Sequence, residues 1–243
     1  MKLLLKLVTF FVLFALFLIW RFPYDSLVER AVRQAEIATG ATILYTPSSA
    51  GPFGVKVKDL SVRLASGASL QFESARIFPT RNGLSATAYQ GDSEMEVDFD
   101  VSNLKVKLND ITVQTGNEVI GTTRATGELD YGIRTREGEG SLRLVVPELG
   151  LPIPISDRSV ELGSSFQIRN LGTPDAPRSG VSIDLKLLSG DGVSSANGPI
   201  SLEGQPSGPP LLNGTLRFEV PTGRGTLRLS GTWDNPVTNI IPN

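Results

Sequence analysis

The chain has 243 residues, a formal net charge of −2, and neither cysteine nor histidine. The missing cysteine excludes disulfides, thiolate metal sites and an acylated cysteine anchor, and the missing histidine removes the commonest general base and transition-metal ligand. No basic cluster occurs beyond the N-terminus, which argues against a nucleic-acid partner. The 25 glycines and 16 prolines are typical of short strands joined by frequent turns.

An apolar run opens the chain, with Lys2 and Lys6 at its front and no acidic residue before Trp20. It is long enough for a helix to cross a hydrocarbon core of about 30 Å. Bulky residues end the run where signal peptidase needs small ones, so an uncleaved anchor is favoured over a cleaved signal peptide. We assign 1–21 to this transmembrane anchor, and its predicted anchoring residues are Leu7, Phe11, Phe14, Phe17 and Trp20.

The lysines at the front of the run predict a cytoplasmic N-terminus, because positive charges are retained on that side of the membrane. The long C-terminal portion then lies outside the cytoplasm. In a bacterium, this arrangement describes a single-pass inner-membrane protein with a periplasmic domain.

A short helix is predicted at 22–40. Asp25 or Ser26 can cap a helix from Leu27 to about Thr39, and Gly40 can end it. Apolar residues recur on one face of this helix and charged residues on the other. Such a helix either packs on the domain behind it or rests on the membrane surface.

The rest of the chain is predicted to form about twelve strands. Thr42–Tyr45 is a short strand, and a turn region follows it from Pro47 to Gly54. Within Val55–Leu64 the apolar positions slip in phase, which predicts a β-bulge near Lys58 and Asp59. Further strands are predicted at Val160–Ile168, Val181–Leu188 and Gly192–Gly204.

The clearest alternation occurs where four acids alternate with four apolar residues over 94–101, followed by apolar residues alternating with lysines over 104–108. A two-residue turn at Ser102 and Asn103 would join these segments as a hairpin. The charges then pair across the strands on a solvent face, an interpretation we favour over a binding site. The facing pairs are Asp100 with Lys105, Asp98 with Lys107, Phe99 with Val106, and Val97 with Leu108.

A strand-level repeat runs through the second half, in which glycine is followed by a small or polar residue, leucine, a charge and an apolar residue. It occurs at Gly127–Tyr131, Gly140–Leu144, Gly214–Phe218 and Gly225–Leu229. Its period of two predicts apolar side chains on one face of each strand. The predicted apolar sheet face comprises Met95, Val97, Phe99, Val106, Leu108, Leu129, Leu142, Leu144, Leu216, Phe218, Leu227 and Leu229.

We therefore predict a mainly β protein: the anchor and the short amphipathic helix, then a long, mostly antiparallel β-meander over 41–236 and an irregular tail at 237–243. The meander has to cover its apolar face. It can do so as a sandwich, as a barrel, or as a curled open sheet with an apolar groove, and periodicity does not separate these three.

No motif for catalysis emerges from the strands and turns. A Ser-His-acid triad cannot form without histidine, and no glycine-rich loop has the spacing of a phosphate-binding motif. We expect no enzymatic activity, no catalytic residue, no cofactor and no metal.

Three segments together resemble a known family. They are Arg21–Leu27 after the anchor, Pro52–Leu60 with Ala75–Pro79 behind it, and Leu229–Pro236 near the end. With the layout of the whole chain, they resemble type II secretion system protein N (the GspN family). The chain is also similar, more distantly, to AsmA-like periplasmic proteins, which begin with one membrane helix and continue as a β-meander.

The first resemblance implies a non-enzymatic inner-membrane accessory of a type II secretion system, whose partners are other secretion subunits contacted in the periplasm. The second implies a curled open sheet whose apolar groove holds the acyl chains of phospholipid, so that a lipid-binding or lipid-transport module is the alternative. A third alternative, an envelope structural protein unrelated to secretion, fits the same composition. The short matching motifs are turn, cap and strand positions, so they carry over no functional residue.

Overall fold

The computed structural model describes residues 24–51, 53–64, 67–116, 121–147, 159–173, 178–190, 195–205, 209–220, 223–232 and 235–242. The predicted anchor at 1–21 lies outside these residues. Among the residues that are described, no helix is both long enough and apolar enough to cross a membrane.

The one helix of the described residues, α1, spans Tyr24–Thr39, so it begins at Tyr24 rather than at the predicted Leu27. A helix tolerates proline at or just before its first turn, so Pro23 does not delay its start. Its end is as predicted: Gly40 has a φ of 66°, and its N–H donates to the Glu36 carbonyl oxygen over 2.8 Å. Glycine reaches this left-handed conformation without a steric cost.

Fourteen strands follow α1 in the described residues, and each is hydrogen-bonded antiparallel to the next in the order β1 to β14. The fold is thus mainly β and an antiparallel meander, as predicted, with more strands than expected. The strands are β1 (Thr42–Gly51), β2 (Gly54–Arg63), β3 (Ser69–Pro79), β4 (Gly83–Gln90), β5 (Ser93–Asp100), β6 (Asn103–Gln114), β7 (Thr122–Gly132), β8 (Glu137–Val146), β9 (Val160–Asn170), β10 (Ser179–Gly190), β11 (Ser195–Glu203), β12 (Leu211–Val220), β13 (Gly223–Thr232) and β14 (Asn235–Pro242).

Two predictions about the ends of the meander were wrong. The expected irregular tail at 237–243 is instead part of β14, which pairs with β13 from Asn235 to Pro242. The expected turn region at Pro47 is instead the second half of β1. β1 and β14 are the two edge strands of the sheet. An edge strand accepts proline because one side of its backbone has no neighbouring strand with which to form hydrogen bonds.

The β5–β6 hairpin differs from the predicted register by two residues, because Lys105 lies opposite Asp98 instead of Asp100. The Asp100 carboxylate accepts hydrogen bonds from the Ser102 N–H over 2.6 Å and from the Asn103 N–H over 2.7 Å. This local turn closes the chain at Val101–Ser102, one residue earlier than expected. Since a shift of two residues preserves the side-chain faces, the predicted faces are unchanged.

Register shifts that mark bulges occur in four of the described strands: in β1 between Pro47 and Ser49, in β2, in β6, and in β10 between Leu187 and Ser189. The bulge predicted near Lys58 and Asp59 is confirmed, since Asp59 has a φ of 50° and the β1–β2 register shifts there. A second lies at Asp110, where φ is 53° and β6 gains a residue relative to β7. Aspartate is among the few side chains that tolerate this conformation. The extra residue in β2 and the one in β6 keep the apolar positions before and after them on the same face of the sheet.

The sheet forks at β3. The start of β3 pairs directly with the end of β6 at Leu70 and Val113, and the β4–β5 hairpin is inserted between these two strands farther along. The Gln90 carboxamide fills the fork. Its Nε2 donates to the Gln71 carbonyl over 2.7 Å, and its Oε1 accepts the Thr112 N–H over 2.6 Å. This side chain therefore replaces the peptide group that a continuous ladder would supply.

The core lies beside this fork. Ile111 has no exposed surface and Phe72 is 2% exposed. The buried residues of the cluster come from β2, β3, β4 and β6, and they are Val57, Phe72, Ala75, Ala88 and Ile111. The buried cluster thus lies where the sheet carries the fork and the bulges of β2 and β6, features that bend and twist a sheet locally.

Candidate functional site

One face of the sheet, here called the apolar face, can be followed without interruption from β1 to β14. Because directly paired residues share a face, one row of partners defines it. The row consists of Ala50, Val55, Ile77, Ala86, Val97, Val106, Leu129, Gly140, Phe166, Ile183, Ile200, Gly214, Leu229 and Thr238.

The strand registers place all twelve residues of the predicted apolar set on this face. Val97, Val106, Leu129 and Leu229 are members of the row itself. The other members lie at even spacings from the row on the same strands, which in a strand means the same side. They are Met95, Phe99, Leu108, Leu142, Leu144, Leu216, Phe218 and Leu227.

The apolar face of β7–β14 has no second layer over it within the described residues. Substantial contacts join only consecutive strands, β3 with β6, and α1 with β1. Along this stretch the large side chains of the row, Phe166, Ile183, Ile200 and Leu229, are half-buried. Three other apolar side chains of this face are buried, and they are Ala125, Val146 and Leu212. Most antiparallel sheets cover one face with a helix layer or another sheet. This face is screened mainly by its own side chains.

Two phenylalanine rings lie close to glycines of the neighbouring strand on this face. A Cβ placed on Gly140 would come 2.5 Å from Phe166 Cζ, and one placed on Gly225 would come 2.5 Å from Phe218 Cζ. Because no side chain stands between ring and backbone, each ring covers the strand beside it. Two of the repeat glycines noted in the sequence, Gly140 and Gly225, therefore lie inside strands and make room for a ring from the neighbouring strand.

The opposite face is charged and solvated. Lys105 Nζ lies 2.9 Å from Asp130 Oδ2, and this hydrogen bond raises the pKa of Lys105. The hydrogen bond that Arg143 donates to Glu161 lowers the pKa of the Glu161 carboxyl group. The charges lie on the expected face, but the predicted pairs of Asp100 with Lys105 and Asp98 with Lys107 are not formed in the described residues, and the ion pair of Lys105 joins β6 to β7 instead. A groove of about 640 Å³ runs over this face of β6–β10.

Catalytic groups are not assembled in the described residues. One spacing escaped the sequence reading: Ser102 and Lys105 have the Ser-x-x-Lys separation of some nucleophilic dyads. Here the Ser102 hydroxyl donates to Asp100 over 2.8 Å, and the Lys105 ammonium pairs with Asp130. The described part of the chain also contains no group of three metal-ligating side chains.

The sheet thus has one apolar face, which is only partly covered over β7–β14, and one charged face on its opposite side. Its chemistry suits the binding of apolar chains or of another apolar surface. No family model matches this chain, and no curated protein or solved structure matches it significantly.

Proposed function

We propose that this protein is a non-enzymatic, membrane-anchored module that binds lipid acyl chains along the apolar face of β7–β14. One observation carries the proposal: seven consecutive strands, β7–β13, direct half-buried apolar side chains to a face that no second layer covers in the described residues. Each methylene of an acyl chain that leaves water for such a face contributes about 0.8 kcal/mol.

The proposal includes the membrane anchor at 1–21. Its apolar length and its lysines would hold the module at a bacterial inner membrane, with the sheet in the periplasm. The curled, open form of an AsmA-like sheet is part of the same proposal, because an open sheet leaves room for a ligand where a sandwich would place its second layer.

The test is photo-crosslinking in living cells, with benzoylphenylalanine introduced at position 166 on the apolar face or at position 167 on the charged face. We expect phospholipid adducts at 166 and none at 167, since neighbouring residues of a strand point to opposite sides. Equal labelling at both positions, or no lipid at 166, would contradict acyl-chain binding.

A matched pair of substitutions provides a second readout. Ile183→Glu places a charge on the apolar face of β10, whereas Ser182→Glu places the same charge on the solvated face of the same strand. Phospholipid that co-purifies with the full chain should be lost from the first variant and retained by the second. Circular dichroism of both variants shows whether the sheet has survived.

A second candidate function is favoured by β14. Within the described residues it pairs only with β13, and its Val237 and Ile240 are 56% and 65% exposed. Such an edge can extend a partner's sheet through main-chain hydrogen bonds. Together with the resemblance to type II secretion system protein N, this edge supports an accessory subunit that acts through periplasmic contacts with other secretion subunits.

The two candidates separate in one experiment. Benzoylphenylalanine at position 240 should capture a secretion subunit, identified by mass spectrometry, if β14 is the contact. If lipid is captured at position 166 and no secretion subunit is captured at position 240, acyl-chain binding is supported and the secretion accessory is contradicted.

A further inference from the structure

A second groove, of about 370 Å³, lies at the tip of the β1–β2 hairpin and the adjoining end of β3. Its lining includes Ser49, Phe53, Lys56, Arg76 and Phe78. β1 begins beside α1 and spans 10 residues, so this tip is roughly 33 Å from the helix end of the sheet.

The groove contains two cations without a counter-charge. Lys56 and Arg76 face each other directly across β2 and β3. Like charges at facing positions destabilise a sheet. No carboxylate lines the groove, and neither residue forms an ion pair within the described chain. By contrast, Lys105 and Arg143 on the charged face each hold a carboxylate.

Two exposed phenylalanines flank these cations. Phe53 is 90% exposed at the hairpin tip, and Phe78 is 41% exposed on the same side of β3 as Arg76. Gly54 allows the hairpin tip to lie close to β3, because a Cβ there would come 3.3 Å from the Phe78 Cβ and 2.5 Å from the Ile77 carbonyl oxygen. Its φ of 140° also disfavours any other residue.

We propose that this groove binds an anionic amphiphile, with the phosphate or carboxylate head between Lys56 and Arg76 and the apolar chain against Phe53 and Phe78. A bridging anion removes the repulsion between the cations, and guanidinium binds such oxyanions through two parallel hydrogen bonds. The apolar side chains beside the cations then distinguish an amphiphile from a free ion. The groove opens on the face opposite the apolar face, so the site does not depend on acyl-chain binding over β7–β14.

The test is calorimetric titration of the full chain in maltoside micelles with dihexanoylphosphatidylglycerol as the probe. Dihexanoylphosphatidylcholine and inorganic phosphate serve as the comparison ligands. We expect binding of the phosphatidylglycerol and at least about tenfold weaker binding of the other two. The double substitution Lys56→Gln with Arg76→Gln should weaken the phosphatidylglycerol about tenfold or more, which corresponds to about 1.4 kcal/mol.

A matched control removes two exposed cations elsewhere, Lys186→Gln with Arg217→Gln on β10 and β12, and should leave the affinity unchanged. Phe53→Ser, at an exposed tip where folding is not at risk, should weaken the phosphatidylglycerol but not phosphate. Equal affinity for phosphate and for phosphatidylglycerol would show a general anion site and overturn the proposal. Equal losses of phosphatidylglycerol affinity in the two double variants would also overturn it. Ile183→Glu should leave this titration unchanged, so its outcome is separable from that of the proposed function.

Discussion

In the first six strands Ile111 has no exposed surface, whereas Ile183, on the same face of β10, is half-buried. Both isoleucines belong to strands that alternate apolar and polar residues in the same way. The difference comes from the backbone around them. Bulges at Asp59 and Asp110 and the fork at Gln90 lie beside the buried cluster of β2–β6, while the described parts of β7–β14 continue strand by strand with a single register shift, near the end of β10. Burial in a meander therefore depends on such irregularities as much as on side-chain pattern.

The largest expected effect tests this comparison directly. Ile111→Ala should lower the free energy of unfolding by about 2–5 kcal/mol, because a fully buried side chain leaves a cavity. Ile183→Ala should cost only about 1 kcal/mol, since its side chain is already partly in water. Urea unfolding of the full chain, followed by circular dichroism, measures both. Equal losses would mean that the face of β7–β14 is covered as tightly as the core, and would contradict the comparison.

The fork provides the next test. Gln90→Ala should cost about 1–3 kcal/mol, because it leaves the Thr112 N–H without its acceptor at a half-buried position. Gln90→Glu retains that acceptor but cannot donate to the Gln71 carbonyl, so hydrogen exchange should increase at the fork while the remaining sheet is unaffected. Asn213→Ala removes an exposed amide from β12 and should change stability by less than about 0.5 kcal/mol. If Gln90→Ala and Asn213→Ala lower the free energy of unfolding by similar amounts, a structural role of the fork is contradicted.

The contact between Phe218 and Gly225 sharpens the comparison in the later strands. Gly225→Ala should destabilise by about 1–3 kcal/mol, because its methyl group would displace the ring. In a Phe218→Leu background the same change should cost much less, and the double-mutant cycle measures this coupling. Gly51→Ala is the control, since nothing lies within 4 Å of a Cβ there. Additive effects of the two changes would show that the ring does not pack on the glycine.

The smallest expected effect concerns the β5–β6 turn. The Ser102 and Asn103 hydrogen bonds lower the pKa of Asp100 in the folded protein. Their contribution is therefore present above the ordinary aspartate pKa and is lost as the pH falls through the lowered one. Asp100→Asn should lower the thermal midpoint at pH 7 and have less effect near pH 3. A difference that stays constant with pH would exclude the carboxylate charge as its cause.

Local patterns in the sequence were sufficient for several features. Alternation assigned the predicted set to a single face, and the phase slip after Val57 located the bulge at Asp59. The same slip occurs between Leu108 and Ile111, so the second bulge was equally readable but was missed. The hairpin register was wrong because Asp100 was read as a paired strand residue, whereas its carboxylate organises the turn.

Other features involve distant partners. The fork joins Gln90 to Thr112, and no local pattern marks a glutamine that will replace a peptide group. The proposed anion groove likewise depends on register: Lys56 and Arg76 are separated by 20 positions in the sequence (76 minus 56) and become neighbours only when β2 pairs with β3. The sequence had drawn attention to Pro52–Leu60 for a turn, a bulge and a family resemblance, but not for a charge at Lys56.

Most strands, the bulge at Asp59 and the side to which strand residues point could be predicted from the sequence, because backbone stereochemistry and a period of two act over a few residues. The tertiary structure alone decided which apolar side chains become buried, which charges find partners and which edges stay open. These outcomes depend on how the sheet bends and on which strands meet, and both are set by contacts between residues far apart in the chain.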